Sequence, residues 1–131
     1  MTERDWVVEH LKEITKYQKQ LDRTPKEMKV QRIEILSRML VFIGKLAATF
    51  SEEYKNIYAE RKYTYAEAEI KAEKNKKAYA EIAVRDLRKQ EAKAYGNMQR
   101  WKNAFESTKE EINALKYKVK IDVEDGSSRT R

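Results

Sequence analysis

The sequence contains no cysteine, one histidine, one proline and three glycines among its 131 residues. Without cysteine the chain has no disulfide framework, no zinc finger and no thiol nucleophile. The single histidine, His10, excludes a multi-histidine metal site, and the three glycines form no phosphate-binding loop motif. No nucleophile, base and orienting group occur together. We therefore expect no enzyme, no cofactor and no metal site, and we expect His10 to lie exposed on a charged helix face.

Long apolar runs are also missing from the sequence. The most apolar stretch, Met39 to Ala48, contains Gly44 and Lys45 and has about half of the roughly 20 residues that a membrane-spanning helix needs. The first six residues carry both charge signs and lead into no run typical of a signal peptide. The sequence thus predicts a soluble, cytoplasmic protein without a membrane partner.

The residues that are present are mainly strong helix formers, and sheet-forming alternation is not sustained. The sequence predicts an all-α fold, with a short N-terminal helix and a long antiparallel helical hairpin that has coiled-coil-like seams. The first helix is expected from Arg4 to Leu21, and Thr24, Pro25 and Glu27 form a capping pattern that predicts the next helix start. The apolar face of the first helix is expected to contain Val7, Leu11, Ile14, Gln18 and Leu21, with Tyr17 beside them.

Two seams of residues spaced by three and four predict the hairpin. The first contains Ile33, Leu36, Leu40, Ile43, Ala47, Phe50, Tyr54 and Ile57. The second contains Ala80, Val84, Leu87, Glu91, Ala94, Met98, Trp101, Phe105, Thr108, Ile112, Leu115 and Val119.

The chain is expected to fold back within residues 62–78, where Asn75 is the one plausible turn residue, while Gly96 stays helical because the second seam passes through it in register. This places Ile57 near residues 80–84 and Ile33 near residues 105–108 or slightly beyond them. We expect one helical domain over residues 1–121 and a flexible tail over 122–131.

The excess of positive over negative charge is confined to residues 61–120. Residues 61–120 carry 16 basic and 9 acidic side chains, whereas residues 1–60 carry 11 and 10. If residues 71–93 form one helix, six cations share about a third of its circumference, and such a stripe suits a phosphate backbone. These cations are Lys71, Lys74, Lys77, Arg85, Arg88 and Lys89. The alternative is the ordinary solvated face of a charged helix.

Tyrosines near these cations favour single-stranded nucleic acid, because its bases stack on aromatic rings while Lys and Arg hold the phosphates. Tyr63, Tyr65 and Tyr79 lie off the seams, and Arg61 and Lys62 are close to them in the sequence. Packing at the hairpin end is the alternative role for these rings. The predicted nucleic-acid-binding residues are Arg61, Lys62, Tyr63, Tyr65, Lys71, Lys74, Lys77, Tyr79, Arg85, Arg88 and Lys89.

Seams of this length often continue into contacts between subunits, so we expect a homo-oligomer. Extra apolar width occurs around residues 39–42, and two aromatic residues lie on the second seam. The predicted oligomer interface contains Met39, Leu40, Phe42, Trp101 and Phe105. A compact three-helix monomer is the alternative.

The chain resembles the UvsY-type recombination mediators of tailed phages. The resemblance rests on the helical architecture, on the segment Arg61-Lys62-Tyr63-Thr64-Tyr65, and on a spaced set of residues over about a third of the chain. That set is Asp86, Leu87, Tyr95, Trp101, Phe105, Ile112, Leu115 and Lys118.

The resemblance implies a ring-forming oligomer that binds single-stranded DNA and acts as an accessory in recombination or replication. It also implies a recombinase or a single-strand-binding protein as a partner, and the host cytoplasm as the location if the protein is viral. The alternative is a coiled-coil interaction module, such as an assembly chaperone, a scaffold or an inhibitor, that does not bind nucleic acid.

Overall fold

The computed structural model describes residues 2–129 in four helices, with side chains described to residue 126. The helices are α1 (Glu3–Arg23), α2 (Lys29–Lys71), α3 (Lys76–Ala83) and α4 (Arg85–Arg129), and no strand occurs over residues 2–129. The long helices α2 and α4 pack against each other, so the predicted all-α hairpin is confirmed. Within residues 2–129, none of the helices combines the length and the apolar character needed to cross a bilayer.

The chain divides into two compact units, a finer division than the one domain predicted for residues 1–121. The terminal unit consists of Met1–Leu46 with Lys102–Arg131, and the central unit is Ala47–Trp101. Helix α4 does not end where the predicted tail begins, because residues 122–129 are part of it. Residues 130 and 131 of the predicted tail lie outside the described residues.

In the terminal unit, α1 begins with a capping box that the sequence analysis missed. The Asp5 backbone N–H donates to Thr2 Oγ1 over 3.1 Å, and the Thr2 backbone N–H donates to Asp5 Oδ2 over 3.3 Å. Both bonds satisfy N–H groups that have no partner within the helix. The helix therefore starts at Glu3, one residue before the predicted start.

The buried face of α1 differs from the predicted face. His10, expected to be exposed, is 6 % exposed, whereas Leu11, expected to be buried, is 38 % exposed. Phe42 on α2 explains the difference, since its ring contacts His10 at 5.5 Å and Tyr17 at 6.1 Å between centroids. Because of these contacts with Phe42, the buried face of α1 contains His10 and Tyr17, whereas Leu11 and Gln18 are exposed.

The His10 ring makes one described hydrogen bond. Its Nδ1 lies 2.9 Å from the Trp6 carbonyl oxygen, which can only accept, so Nδ1 carries the proton of this bond. Nε2 is buried without a hydrogen-bond partner among the described residues. The ring also lies 4.1 Å from the Trp6 ring, so His10 is a packing residue between aromatic side chains.

The predicted helix start at Thr24 is wrong, because this residue ends α1 instead. Its Oγ1 donates to the Gln20 carbonyl oxygen over 2.7 Å, and α2 begins only at Lys29. Arg32 on α2 then donates through Nη1 to the carbonyl oxygens of Leu21 (3.0 Å) and Thr24 (2.8 Å). A cation at these carbonyls stabilises the end of α1 and fixes the connection to α2.

The wider apolar surface around residues 39–42 of α2 packs against α1 of the same chain. Phe42 contacts α1, while Met39 is 4 % exposed and Leu46 is fully buried. Of the predicted oligomer interface, Met39 is therefore core, and Leu40, Phe42, Trp101 and Phe105 are half-buried.

The two long helices run antiparallel, but their register differs from the predicted one. In the terminal unit, Lys29 Nζ pairs with Asp122 Oδ2 at 2.8 Å, and Phe105 lies against Gly44 rather than Ile33. In the central unit, Tyr54 contacts Tyr95 with ring centroids 5.3 Å apart, so residues near Ile57 face residues beyond 90 rather than 80–84. The predicted pairing is wrong by about ten residues.

The fold-back explains this shift in register. Helix α2 ends at Lys71 and α3 begins at Lys76, so the turn lies near the C-terminal limit of the predicted range. Asn75 has φ 53° and ψ 45°, the left-handed conformation that Asn adopts more readily than most residues. Asn75 is thus confirmed as a turn residue. Gly96 lies within α4, as predicted.

Gly96 and Gly44 are expected to respond in opposite ways to replacement by alanine. A Cβ at Gly96 meets no atom within 4 Å, so Gly96→Ala should raise the free energy of unfolding by about 0.5–1 kcal/mol. At Gly44 the Cβ would lie 3.2 Å from Phe105 Cε2, and crowding should cancel this gain. Chemical denaturation of the two variants checks this, and equal stabilisation by both would contradict it.

Candidate nucleic-acid interface

All the predicted nucleic-acid-binding residues lie in the central unit, but not on one helix. The stripe predicted for a continuous helix over residues 71–93 is interrupted twice. Lys71 ends α2, Lys74 lies in the turn, Lys77 is on α3, and the remaining cations follow the break at Val84. Val84 is fully buried with φ −103° and ψ 8°, and no glycine or proline marks this break in the sequence. The premise of one basic helical stripe over 71–93 is therefore wrong.

Arg61 is paired within the fold. Its guanidinium donates to the Glu91 carboxylate through Nε to Oε1 and through Nη2 to Oε2, the latter over 3.4 Å. The two side chains are 15 % and 17 % exposed, so the pair joins α2 to α4 in a largely enclosed position. Arg61 is also 5.2 Å from the centre of the Tyr58 ring. These contacts occupy the Arg61 guanidinium inside the hairpin.

Arg88 is also paired, here with Glu81 across the break between α3 and α4. Its Nε and Nη2 donate to the two Glu81 carboxylate oxygens at 2.8 and 2.7 Å. This hydrogen-bonded arginine lowers the pKa of the Glu81 carboxyl below its usual value, and Glu81 raises the pKa of Arg88. The pair is exposed to solvent, so it contributes less to stability than an enclosed pair. It does bridge the two helices on either side of Val84.

The Arg61–Glu91 pair gives a testable expectation for stability. Arg61→Leu leaves the Glu91 carboxylate without its partner in an enclosed position and should cost about 1–3 kcal/mol of unfolding free energy. Replacing both residues by leucine should recover most of this loss, because no charge is then left unpaired. A double-mutant cycle measured by urea denaturation checks the coupling. Additive losses in the double variant would contradict it.

The remaining predicted cations are exposed. Lys71 Nζ lies 3.5 Å from Glu67 Oε1, and Arg85 Nε lies 4.0 Å from Asp86 Oδ1. Lys62 Nζ lies 5.1 Å from the centre of the Tyr58 ring. Lys74, Lys77 and Lys89 are exposed and make no ion pair within the described part of the chain.

The three predicted stacking tyrosines differ in their accessibility. Tyr63 is 69 % exposed on α2 and Tyr79 is 52 % exposed on α3, whereas Tyr65 is half-buried. The first seam, which we call the inner seam of α2, faces α4. At 100° per residue, Tyr63 lies on the opposite side of α2. Tyr63 and the outward side of α4 are therefore on opposite surfaces of the central unit.

A more uniform basic surface lies on the side of α4 that faces away from its seam. Arg85, Lys89, Lys93 and Arg100 are all exposed and fall within about a quarter of the helix circumference. The same arc over residues 85–100 also contains Gly96, and it is flanked on one side by Ala92 and on the other by Asp86, whose Oδ1 lies 4.0 Å from Arg85 Nε. We name these four cations the α4 basic stripe, which extends about 22 Å at 1.5 Å per residue.

Arg85 and Lys89 of this stripe were predicted from the sequence, whereas Lys93 and Arg100 were not. The spacing of 85, 89, 93 and 100 follows the helical repeat, and the second seam fixes the phase of the helix. A search for cations opposite that seam would have found all four. Arg100 Nη1 donates to Asn97 Oδ1 over 3.3 Å, a neutral partner that leaves its charge available.

An aromatic groove lies beside the α4 basic stripe. It has a volume of about 260 Å³ and is lined by Tyr54, Arg88, Glu91, Ala92 and Tyr95. The Tyr95 side chain is 45 % exposed, and its hydroxyl accepts a 2.7 Å hydrogen bond from Gln99 Nε2. Contact with the Tyr54 ring and this bond hold the Tyr95 ring in place, with one side open to solvent.

The described residues offer little for metal binding. No group of three or more His, Cys, Asp or Glu side chains that could hold a metal ion occurs over the described residues. The His10 ring is enclosed by aromatic side chains rather than by carboxylates. The α4 basic stripe is therefore the strongest candidate site.

No protein-family model, curated protein or solved structure matches this chain at a significant level. Its similarity to UvsY-type mediators stays a prediction from the sequence.

Proposed function

We propose that the chain binds single-stranded nucleic acid along the outward side of α4. The observation that carries this proposal is the α4 basic stripe, which presents four exposed cations on one side of the helix over residues 85–100, with Asp86 at its edge. Residues four apart on a helix are about 6 Å apart along its axis, so the stripe offers a row of charges to a row of phosphates. Each phosphate contact releases counterions and adds affinity that falls with salt.

The aromatic groove supports a single strand rather than a duplex. Unpaired bases can leave the backbone and stack on an aromatic ring, and the exposed side of Tyr95 is such a ring. Arg88 lines the same groove, and its two hydrogen bonds to Glu81 fix its planar guanidinium at the α3 side. In this arrangement phosphates contact the stripe while bases enter the groove.

The other predicted residues contribute differently. Lys74, Lys77 and Tyr79 near the fold-back can extend the basic surface, because they are exposed. Arg61 is engaged by Glu91, and Lys62 and Tyr63 belong to the α2 side of the unit. We therefore leave Arg61, Lys62 and Tyr63 out of the proposed contact with a short strand.

The similarity to UvsY-type mediators extends the proposal to a cellular role. We propose an accessory or mediator role in recombination or replication, carried out by a homo-oligomer. The protein partner would be a recombinase or a single-strand-binding protein. The runner-up is a coiled-coil interaction module without nucleic-acid binding, and the exposed apolar residues of α2 favour it.

A fluorescent oligonucleotide titration tests the proposal. We expect single-stranded oligonucleotide to bind at low salt, with higher affinity than a duplex of the same length, because only unpaired bases can reach the Tyr95 ring. Tyr95→Ala should reduce the preference for the single strand more than it reduces duplex binding. Absence of binding at low salt would refute the proposal and leave the interaction module as the function.

A further inference from the structure

A further row of residues with seam spacing, separate from the two seams described above, runs along the side of α2 that faces solvent in the central unit. Its residues are Asn56, Ala59, Tyr63, Ala66 and Ile70, spaced by three, four, three and four. All five are exposed, Tyr63 by 69 % and Ile70 by 82 %. We name this set the α2 outer face. The spacing is that of the a and d positions of a coiled coil, with residues 56, 63 and 70 at a and 59 and 66 at d.

The α2 outer face has no packing role within the central unit. The inner seam of α2 lies on the opposite side of the helix, where Tyr54 contacts Tyr95 and Arg61 pairs with Glu91. An exposed isoleucine and tyrosine in register along one face are a surface suited to another helix. We propose that the α2 outer face pairs with the same face of a second copy of the chain, parallel and in register.

Charges beside the α2 outer face support the second copy as the partner. In a parallel coiled coil, each g position lies near the e position five residues later on the other chain. Two such pairs lie on α2, Lys55 with Glu60 and Lys62 with Glu67, each with one residue from either copy. Both pairs join a lysine at g to a glutamate at e, so both join opposite charges.

Two of these charges have no partner of their own. Lys55 and Glu60 make no ion pair within the described part of the chain. Glu67 has a partner at 3.5 Å in Lys71, on a solvent-exposed surface where the pair is weak. Pairing between copies would therefore use charges that the single chain leaves mostly in solvent.

The same charges disfavour the antiparallel arrangement. Antiparallel helices bring e positions against e positions, which places Glu60 beside Glu67 or beside a second Glu60. Like charges at such positions oppose pairing. Asn56 at an a position also favours the in-register arrangement, because one buried Asn in a seam favours a single register. Ala59 and Ala66 at the d positions allow the two helices to approach closely.

The inference does not depend on nucleic-acid binding. The α2 outer face and the α4 basic stripe lie on opposite sides of the central unit, so a dimer leaves the stripe open. The two surfaces share no residue. Loss of one function should therefore leave the other intact, and the two proposals can fail separately.

Single cysteines provide the direct test, since the chain has none of its own. Under oxidising conditions without nucleic acid, Ala66→Cys should form a disulfide-linked dimer, because d positions of a parallel dimer face each other. Ala92→Cys, exposed on α4, is the matched control and should stay monomeric on a denaturing gel. Failure of Ala66→Cys to cross-link faster than Ala92→Cys would overturn the parallel pairing.

Sedimentation equilibrium with charge variants completes the test. The unmodified chain should dimerise with rising concentration, Lys62→Glu should weaken dimerisation at least tenfold, and adding Glu67→Lys should restore most of it. Ile70→Lys should abolish dimerisation while circular dichroism shows unchanged helix content. A monomer at all concentrations, or a dimer that Ile70→Lys does not weaken, would overturn the proposal. Intact oligonucleotide binding by the Ile70→Lys variant would show that the proposed function stands independently.

Discussion

Replacing the α4 basic stripe by glutamine is expected to reduce the affinity for single-stranded oligonucleotide by about 10²–10³-fold near 0.1 M salt. The estimate assumes that each of the four cations contacts one phosphate, with about 0.7 counterions released per contact on a single strand. The variant carries Arg85→Gln, Lys89→Gln, Lys93→Gln and Arg100→Gln. Glutamine keeps helix propensity close to that of Lys and Arg, so the loss should reflect charge rather than unfolding.

A second set of four cations on the same helix provides the matched control. Lys109, Lys116, Lys118 and Lys120 are exposed in the terminal unit. Replacing them by glutamine changes the net charge by the same amount, but it leaves the stripe intact. We expect a much smaller loss in this control, measured by fluorescence anisotropy at one salt concentration. Equal losses in the two variants would indicate non-specific attraction to net charge and would contradict the proposed site.

Leu46→Ala is expected to give the largest loss of stability, about 2–5 kcal/mol of unfolding free energy. Leu46 is fully buried in the terminal unit, so its removal loses apolar burial and leaves a cavity. Val41→Ala on the same helix is the control, because Val41 is 54 % exposed. That change should stay within about 0.5 kcal/mol. Urea denaturation followed by circular dichroism measures both, and a loss below about 1 kcal/mol for Leu46→Ala would contradict the described core.

The two seams were the most predictable part of the fold. Every residue of both predicted seams is buried or half-buried in the structure. Spacing by three and four reports directly which side of a helix is covered, and this information lies within one helix. The inner seam of α2 also continues past Ile57, through Arg61 and Ala68, and Ala72 directly after the helix is buried as well. The sequence analysis missed this extension because the pattern there consists of small and polar residues.

The features that were predicted wrongly depend on contacts between helices. Thr24 fits a helix start by local pattern, but the carbonyls at the end of α1 and the side chain of Arg32 determine its role. His10 is polar, yet Phe42 on the neighbouring helix draws it into the core. No glycine or proline marks the break at Val84 in the sequence. The break changes the positions around the helix axis of the cations that follow it. These features depend on residues of neighbouring helices, and the pattern within one helix does not show where those residues lie.

The candidate site was predictable in composition but not in arrangement. All the cations and tyrosines that the sequence singled out lie in the central unit, although the net positive charge of the chain is shared between the two units. Arg61 and Arg88 could not be separated from the free cations by sequence, since their partners Glu91 and Glu81 lie on other helices.

The dependence of binding on salt tests the central proposal most directly, because it counts the phosphates that the stripe contacts. The logarithm of the binding constant for single-stranded oligonucleotide is plotted against the logarithm of salt concentration for the unmodified chain and the stripe variant. Four lost contacts predict a slope that is shallower by about 3 in the variant. Equal slopes for the two proteins would contradict phosphate binding by Arg85, Lys89, Lys93 and Arg100.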